Sequence, residues 1–133
     1  MLPQDGGSSL PAAGDAIEQR RVEPRGEPLD EPALAAVLAA ALSALHYLHH
    51  EQKTLHRDVK AANLLLTDTG DVKLADLGSA MLLAQQRACA IQTREYRCPE
   101  SILGVWPFAS AADIWSLGCM FAGMFFQKEP FFQ

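Results

Sequence analysis

The clearest periodic pattern of apolar residues lies between residues 34 and 48, where they recur at steps of three and four. This spacing places them on one face of an α-helix. Asp30 is suited to cap such a helix, and Pro32 is suited to its first turn, where a backbone N–H is not needed. The pattern predicts an amphipathic helix that begins after Asp30 and ends near His50. Its apolar positions are Leu34, Val37, Leu38, Ala41, Leu42, Leu45 and Leu48.

Two further patterns predict a hairpin and a second helix. Residues 64–66 and 72–74 are short apolar runs on either side of a polar turn that contains Gly70, which is typical of a β-hairpin. Residues 111–126 carry large apolar side chains on every side, which is typical of a helix buried in a core. Packing explains each of its residues except Asp113. The predicted fold is therefore mainly α with a small β-hairpin.

The first 29 residues differ in composition from the rest. They are rich in Gly, Pro and charged residues and poor in aromatic ones, so they are expected to be disordered. Residues 30–133 form the single predicted domain. A formal net charge of −5, with the arginines at residues 20, 21 and 25 neutralised by nearby glutamates, argues against nucleic acid or an anionic membrane as a partner. The apolar run at residues 114–126 is too short to span a bilayer.

The cysteines and histidines give little support for a metal site. Three cysteines at wide spacings argue against a disulfide framework and a zinc finger, and they favour a reducing intracellular compartment, the cytoplasm or the nucleus. The N-terminus has no apolar segment typical of a signal peptide. His46 and His50 are one helical turn apart, but a zinc site needs a third ligand. They are interpreted as a solvated helix C-terminus, where positive charge is favourable.

The candidate chemistry is concentrated in residues 55–63. The carboxylate of Asp58 can orient a substrate hydroxyl and take its proton, while Lys60 can neutralise charge on a transferring phosphate. Asn63 can offer an amide oxygen to a hard metal ion such as Mg²⁺. The predicted hairpin should bring Asp58 and Asp76 to the same cleft. Asp68 and Asp71 lack the spacing of a calcium loop and are interpreted as turn formers.

Four motifs in order resemble those of eukaryotic protein kinases. His-Arg-Asp at residues 56–58 with Asn63 resembles the catalytic loop, and Asp-Leu-Gly at residues 76–78 resembles the metal-binding triplet, with Leu77 in place of Phe. Residues 93–100 resemble the end of the activation segment. Residues 113–118 resemble the start of the central helix. The resemblance implies part of the large, C-terminal lobe of a kinase fold.

Further roles follow from this resemblance. It implies Asp58 as catalytic base, Lys60 as the γ-phosphate contact, and Asn63 and Asp76 as Mg²⁺ ligands, with ATP and Mg²⁺ as cofactors. It implies that the Thr93 hydroxyl links the peptide-binding loop to Asp58 and Lys60, at a spacing typical of Ser/Thr kinases. It also implies that the central-helix Asp, here Asp113, holds the backbone of the catalytic loop.

The resemblance to subfamilies is mixed. Tyr96-Arg97 before Pro99-Glu100 resembles the CMGC group, which holds cyclin-dependent, MAP, glycogen synthase and casein kinase II enzymes. Residues 115–124 and 128–132 resemble casein kinase II alpha, whereas residues 60–63 and the preceding helix resemble Ste20-type kinases.

Two functions follow from what the chain contains. No Gly-x-Gly-x-x-Gly loop and no Val-Ala-x-Lys stretch precedes Asp30, so these 133 residues are expected to have negligible activity alone. One interpretation is a fragment of a Ser/Thr kinase acting on protein substrates. The alternative is an inactive binding or decoy module, with a regulatory protein on an exposed apolar surface. Residues 81–92 contain no Ser, Thr or Tyr, so no phosphorylation switch is expected there.

Overall fold

The described part of the chain forms three α-helices and five short strands. The structure is a computed structural model that describes residues 20–21, 29–86, 90–128 and 130–131. The expectation of disorder in residues 1–29 lies mostly outside them. The helices are α1 Glu31–His46, α2 Pro99–Ile102 and α3 Ala111–Phe125. The strands are β1 Arg20–Arg21, β2 Thr54–Leu55, β3 Leu64–Leu66, β4 Val72–Leu74 and β5 Met81–Leu82.

The first helix has the predicted limits. Asp30 Oδ1 accepts a hydrogen bond from the backbone N–H of Ala33 at 2.9 Å, so the predicted cap is confirmed. After α1 the chain continues in a π-helical turn, Tyr47–Glu51. The helical run therefore ends within one residue of the predicted position.

This helical run, Glu31–Glu51, is long and apolar enough to cross a membrane, with a mean hydropathy of 1.4. That length and composition are weak evidence, because core helices also have them. Here one face of the helix is buried against the rest of the chain. The buried residues on that face are Leu34, Val37, Ala41, Leu45 and His49.

The predicted hairpin forms two strands of a three-stranded antiparallel sheet, in the order β1-β3-β4. β3 pairs with β4, with Leu64 opposite Leu74 and Leu66 opposite Val72. β1 pairs with the other edge of β3, so disorder does not hold for Arg20–Arg21, because an open strand edge offers backbone partners. A second pair, β2 with β5, was not predicted, since two-residue strands show no alternation. The chain thus combines helices with a small antiparallel sheet.

Buried side chains form two clusters that meet residues 55–63. The first cluster joins α1, α3 and the catalytic-loop region, and the second surrounds Leu55. The first contains Val37, Ala41, Leu45, Val59, Ala61, Leu64, Tyr96, Leu117, Cys119 and Met120. The second contains Leu55, Ile91, Cys98, Phe108 and Ala112. Because Leu55 belongs to one cluster and Val59 and Ala61 to the other, this segment is anchored in both clusters.

The third helix has the predicted limits but is not buried on every side. Ile114 is 46% exposed and Trp115 is 42% exposed, and Phe125 and Phe126 are also exposed. The expectation that all of its apolar residues pack into the core is therefore wrong for this outward face. The reason is that α1 and residues 93–98 contact only the opposite face within the described part of the chain.

Candidate active site

Asp113, in the first turn of α3, holds the backbone of the predicted catalytic loop. Its Oδ2 accepts a hydrogen bond from the backbone N–H of His56 at 2.8 Å, and its Oδ1 accepts one from the N–H of Arg57 at 2.8 Å. Asp113 is only 1% exposed. A buried carboxylate with two oxygens can satisfy two adjacent backbone donors, which an apolar residue could not. The role that the resemblance implied for Asp113 is confirmed.

His49 is a functional neighbour that the sequence reasoning missed. Its Nε2 lies 2.8 Å from Asp113 Oδ2. Because a carboxylate only accepts, this nitrogen carries the proton and donates. A signal was present in the sequence, since His49 follows Ala41 and Leu45 at steps of four and so falls on the buried face of the helical run.

His56 joins the loop to the strand that precedes Asp76. Its Nδ1 accepts a hydrogen bond from the backbone N–H of Asp58 at 3.2 Å, and its Nε2 lies 3.0 Å from the carbonyl oxygen of Ala75. These partners require a neutral ring protonated at Nε2, since a carbonyl cannot donate. The ring is completely buried. It therefore positions both Asp58 and the residue next to Asp76.

Asp58, Lys60 and Thr93 form one cluster in contact. The hydroxyl of Thr93 donates to Asp58 Oδ1 at 2.5 Å, and Lys60 Nζ lies 2.8 Å from Asp58 Oδ2. Lys60 Nζ also donates to Thr93 Oγ1 at 3.0 Å. The side chains are 25% exposed for Lys60 and 16% for Asp58, so the cluster is open to a second molecule. Residues 35 positions apart in the chain are thus brought together.

These contacts also decide the charge of Asp58. Partial burial is the largest single influence and raises the pKa of its carboxyl group. Hydrogen bonds from Lys60, Thr93 and Asn63, together with the positive charge of Lys60, outweigh burial and hold the pKa below its usual value. Asp58 is therefore a carboxylate at neutral pH.

Asn63 and Asp76 lie on adjoining segments. The amide nitrogen of Asn63 donates to the carbonyl oxygen of Asp58 at 2.8 Å and to Asp58 Oδ2 at 3.2 Å. Its amide oxygen takes no part in these bonds. The backbone N–H of Ala75 donates to the carbonyl of Asn63 at 2.8 Å, which places the following residue, Asp76, beside this strand end.

The donor set at Asn63 and Asp76 fits Mg²⁺. Asp76 is exposed, and Oδ1 accepts a hydrogen bond from the N–H of Gly78 at 3.2 Å. An amide oxygen and a carboxylate are the hard ligands that Mg²⁺ prefers, completed by water and phosphate oxygens.

No group of three His, Cys, Asp or Glu side chains in the described part of the chain could hold a metal. His46 and His50 are exposed, with ring centroids 4.5 Å apart.

Arg57 connects the loop to the segment after Asp76. Its Nε donates to the carbonyl oxygen of Ser79 at 2.6 Å, and its Nη1 lies 3.5 Å from Met81 Sδ. Its backbone is left-handed, with φ of 68°, as is that of Asp76 at 62°. Such values are costly for residues other than Gly, and they cluster at functional sites. A cavity of about 290 Å³ adjoins it, lined by Arg57, Asp58, Ser79, Ala90, Ile91, Gln92 and Thr93.

Several known proteins are similar to this chain. The family model described as "Protein kinase domain" matches residues 12–133. Cyclin-dependent kinase 15 of Mus musculus is 44% identical over 66% of this chain and 21% of its own length. CTD kinase subunit alpha of Schizosaccharomyces pombe is 43% identical over 68% of this chain and 16% of its own length. Serine/threonine-protein kinase Nek3 of Mus musculus is 42% identical over 62% of this chain and 16% of its own length.

The chain spans about a fifth or less of the length of these relatives, and the match covers the residues around Asp58 and Asp113. Because the family model matches most of the chain and the relatives include named serine/threonine kinases, the chain belongs to the protein kinase family, among its serine/threonine kinases, and is CMGC-like.

Proposed function

We propose that this chain is part of the catalytic domain of a protein kinase that transfers the γ-phosphate of ATP to Ser and Thr hydroxyls of proteins. The observation that carries the proposal is the contact cluster of Asp58, Lys60 and Thr93. It combines a carboxylate, a cation and a hydroxyl within hydrogen-bond distance. Such a cluster suits phosphoryl transfer, because that reaction is catalysed by positioning and by electrostatic stabilisation.

Asp58 is assigned to the attacking hydroxyl. In the cluster, Oδ2 accepts hydrogen bonds from Lys60 and Asn63, whereas Oδ1 accepts one from Thr93. Oδ1 therefore keeps a lone pair for the substrate hydroxyl. The lowered pKa makes Asp58 a weak base, so it first orients the hydroxyl and takes its proton late, as the new oxygen–phosphorus bond forms.

Lys60, Asn63 and Asp76 are assigned to the phosphates. Lys60 keeps a positive charge beside Asp58 and can contact the transferring phosphoryl group while Thr93 holds its position. The amide oxygen of Asn63 and the carboxylate of Asp76 would hold Mg²⁺. When bound with ATP, Mg²⁺ neutralises charge on the phosphate oxygens.

The organisation of the chain is part of the proposal. Residues 30–133 correspond to part of the large lobe, from the helix before the catalytic loop to the central helix, and residues 1–29 to a lead-in. Residues 115–124 and 128–132 support a likeness to casein kinase II alpha, within the CMGC-like kinases. Residues 60–63 and the preceding helix instead support a likeness to Ste20-type kinases. Cys98 and Cys119 are buried thiols that are not joined in a disulfide, which supports an intracellular setting in the cytoplasm or nucleus.

A second function has one observation in its favour. The outward face of α3, with Ile114 and Trp115, together with Phe125 and Phe126, is exposed. An apolar surface of this kind is typical of a protein interface. It supports a binding or decoy module that holds a regulatory protein, without phosphoryl transfer by the 133 residues alone.

The decisive experiment uses the protein at the length found in cells, with Asp58→Asn as the variant. Asn keeps the size of Asp58 but cannot take a proton. We expect phosphorylation of Ser- and Thr-containing proteins by the wild type with Mg-ATP, and a loss of roughly 10²–10⁴-fold in kcat for the variant. Asp68→Asn, a matched change at an exposed turn, should leave kcat unaltered.

The same variants separate the two functions. If the wild type transfers no phosphate, or if Asp58→Asn has the kcat of the wild type, the kinase proposal is wrong. Binding of a partner protein that is undiminished by Asp58→Asn, with no phosphoryl transfer, would instead support the binding module.

A further inference from the structure

The activation segment is held on α3 by an uncharged side chain, that of Gln92. Its amide nitrogen donates to the carbonyl oxygen of Ala112 at 2.6 Å and to Ser116 Oγ at 2.7 Å. Its amide oxygen accepts a hydrogen bond from the backbone N–H of Cys98 at 2.8 Å. Both N–H groups and the oxygen are thus used, and Ser116 and Cys98 have no exposed surface. The amide of Gln92 is fully engaged between two segments.

The hydrogen bonds continue from Gln92 around the loop that carries Thr93. Ser116 Oγ, which accepts from Gln92, donates to the carbonyl oxygen of Tyr96 at 2.7 Å. Arg97 closes the loop from the other side, because its Nε donates to the carbonyl of Ile91 at 3.0 Å and its Nη2 to that of Gln92 at 3.1 Å. Thr93 therefore lies inside a loop that is closed across its base.

Gln92 also adopts the backbone conformation that the closure needs. Its φ is 70°, in the left-handed region that is costly for a residue with a Cβ atom. The conformation persists because the side chain is bonded on both sides. It turns the chain so that the next residue, Thr93, places its hydroxyl 2.5 Å from Asp58 Oδ1.

A phosphate within the preceding segment cannot order this loop. Residues 81–92 contain no Ser, Thr or Tyr, so no phosphoester can form on them. A second glutamine acts in the same way upstream. Gln86 donates to the carbonyl of Phe108 at 2.7 Å and accepts from the N–H of the same residue at 3.0 Å. In the described part of this segment, Gln86 and Gln92 thus add neutral amide contacts to those that Arg57 and Arg97 make with backbone carbonyls.

We propose that Gln92 is a positioning residue that holds Thr93 against Asp58 and Lys60, so that the loop is set without phosphorylation of residues 81–92. It touches no reacting atom and acts only through Thr93. This inference rests on the proposed kinase function for its kinetic consequence, whereas the hold of Gln92 on the loop stands independently of it.

The first test measures the loop itself by amide hydrogen exchange in the native-length protein. Gln92→Leu removes all three side-chain hydrogen bonds at similar size, and Gln92→Glu keeps an acceptor for Cys98 but loses both donors. We expect exchange in residues 93–98 to become roughly tenfold faster in Gln92→Leu and at least as fast in Gln92→Glu, in which a carboxylate oxygen faces the carbonyl oxygen of Ala112. Gln85→Leu and Gln85→Glu, at an exposed position of the same segment, are the matched controls. Unchanged exchange in Gln92→Leu overturns the proposal.

The second test asks whether Gln92 acts through Thr93. We expect Gln92→Leu to lower kcat by about 10²-fold at a temperature where the variant is folded, since small displacements at a catalytic cluster are costly. In a Thr93→Ala background the same change should have little further effect, because the contact it supports is gone. An equal loss in both backgrounds would mean a merely structural role and would overturn the proposal.

The outcomes separate this proposal from the kinase function. Absence of phosphoryl transfer by the wild type would refute the proposed function, while the exchange measurement would still decide the hold of Gln92 on the loop. Activity of the wild type that is abolished by phosphatase treatment would mean that a phosphate outside residues 81–92, for example on Ser79 or Tyr96, is needed to set the loop, and it would overturn positioning by Gln92. Activity that survives the treatment supports it.

Discussion

Removing the carboxylate of Asp113 should be among the most destabilising single changes in this protein. The carboxylate accepts hydrogen bonds from the backbone N–H groups of His56 and Arg57 and from the ring of His49, each at 2.8 Å. Asp113→Ala leaves these three donors without their acceptor in a site that is 1% exposed. Each such donor costs roughly 1–3 kcal/mol, so the loss is about 3–9 kcal/mol. A small domain has only about 5–15 kcal/mol in total.

Asp113→Asn gives a graded comparison. An amide keeps one oxygen, which can serve His56 and His49, while its NH₂ group faces the N–H of Arg57. One donor is then lost instead of three, and the expected loss is about 1–3 kcal/mol. If Asp113→Ala does not fold, the stability of Asp113→Asn can still be measured and compared with that of the wild type.

The assay is urea unfolding of the native-length protein at neutral pH, followed by tryptophan fluorescence, with the free energy of unfolding obtained by linear extrapolation. Asp68→Asn, at the exposed hairpin turn, is the control and should lie within about 0.5 kcal/mol of the wild type. A free energy for Asp113→Ala within about 1 kcal/mol of the wild type would refute the reasoning, since buried donors could then lose this acceptor at little cost.

Three further changes test other parts of the structure. Because the pKa of Asp58 is lowered in the folded state, the unfolded chain binds more protons on acidification. The stability advantage of the wild type over Asp58→Asn should therefore be full above the unfolded pKa of about 3.9 and disappear as the pH falls through the lower folded value. Urea unfolding across this range measures it, and an advantage that grew in acid would contradict the assignment. Asp76→Asn should weaken Mg²⁺ binding in the presence of ATP by roughly tenfold or more without lowering the melting temperature, because Asp76 is exposed and Asn tolerates its φ of 62°. Calorimetric titration with Mg²⁺ measures this, and equal affinities would remove Asp76 from the metal site. Gly70→Ala should cost about 1 kcal/mol of unfolding free energy from backbone strain alone, because φ is 86° and no atom lies within 4 Å of the added methyl group. A loss above about 3 kcal/mol would show an unexpected contact.

Short-range patterns predicted the local elements well. The cap at Asp30 and the ends of α3 follow from residues within one or two turns of each other. The hairpin between β3 and β4 likewise follows from two runs around one glycine turn. Neighbouring backbone groups pair according to spacing and turn chemistry, which a single sequence displays directly.

The candidate site was only partly predictable. Resemblance placed Asp58, Lys60, Asn63 and Thr93 in one site, and the structure brings these four side chains into contact. The resemblance gave no indication of a role for Gln92, whose side chain bonds to partners 20 and 24 residues away. A single glutamine has no sequence pattern that distinguishes an anchor from a solvated side chain.

By itself, the sequence determined the two long helices, the hairpin of β3 and β4, and the residue types that carry the chemistry. Only the tertiary structure decided that His49 bonds to Asp113, across 64 residues of chain. It alone decided that α3 buries one face and leaves Ile114 and Trp115 exposed. The physical reason is that the spacing of apolar residues shows which residues share a face of a helix or strand, whereas the burial of that face depends on segments distant in the chain.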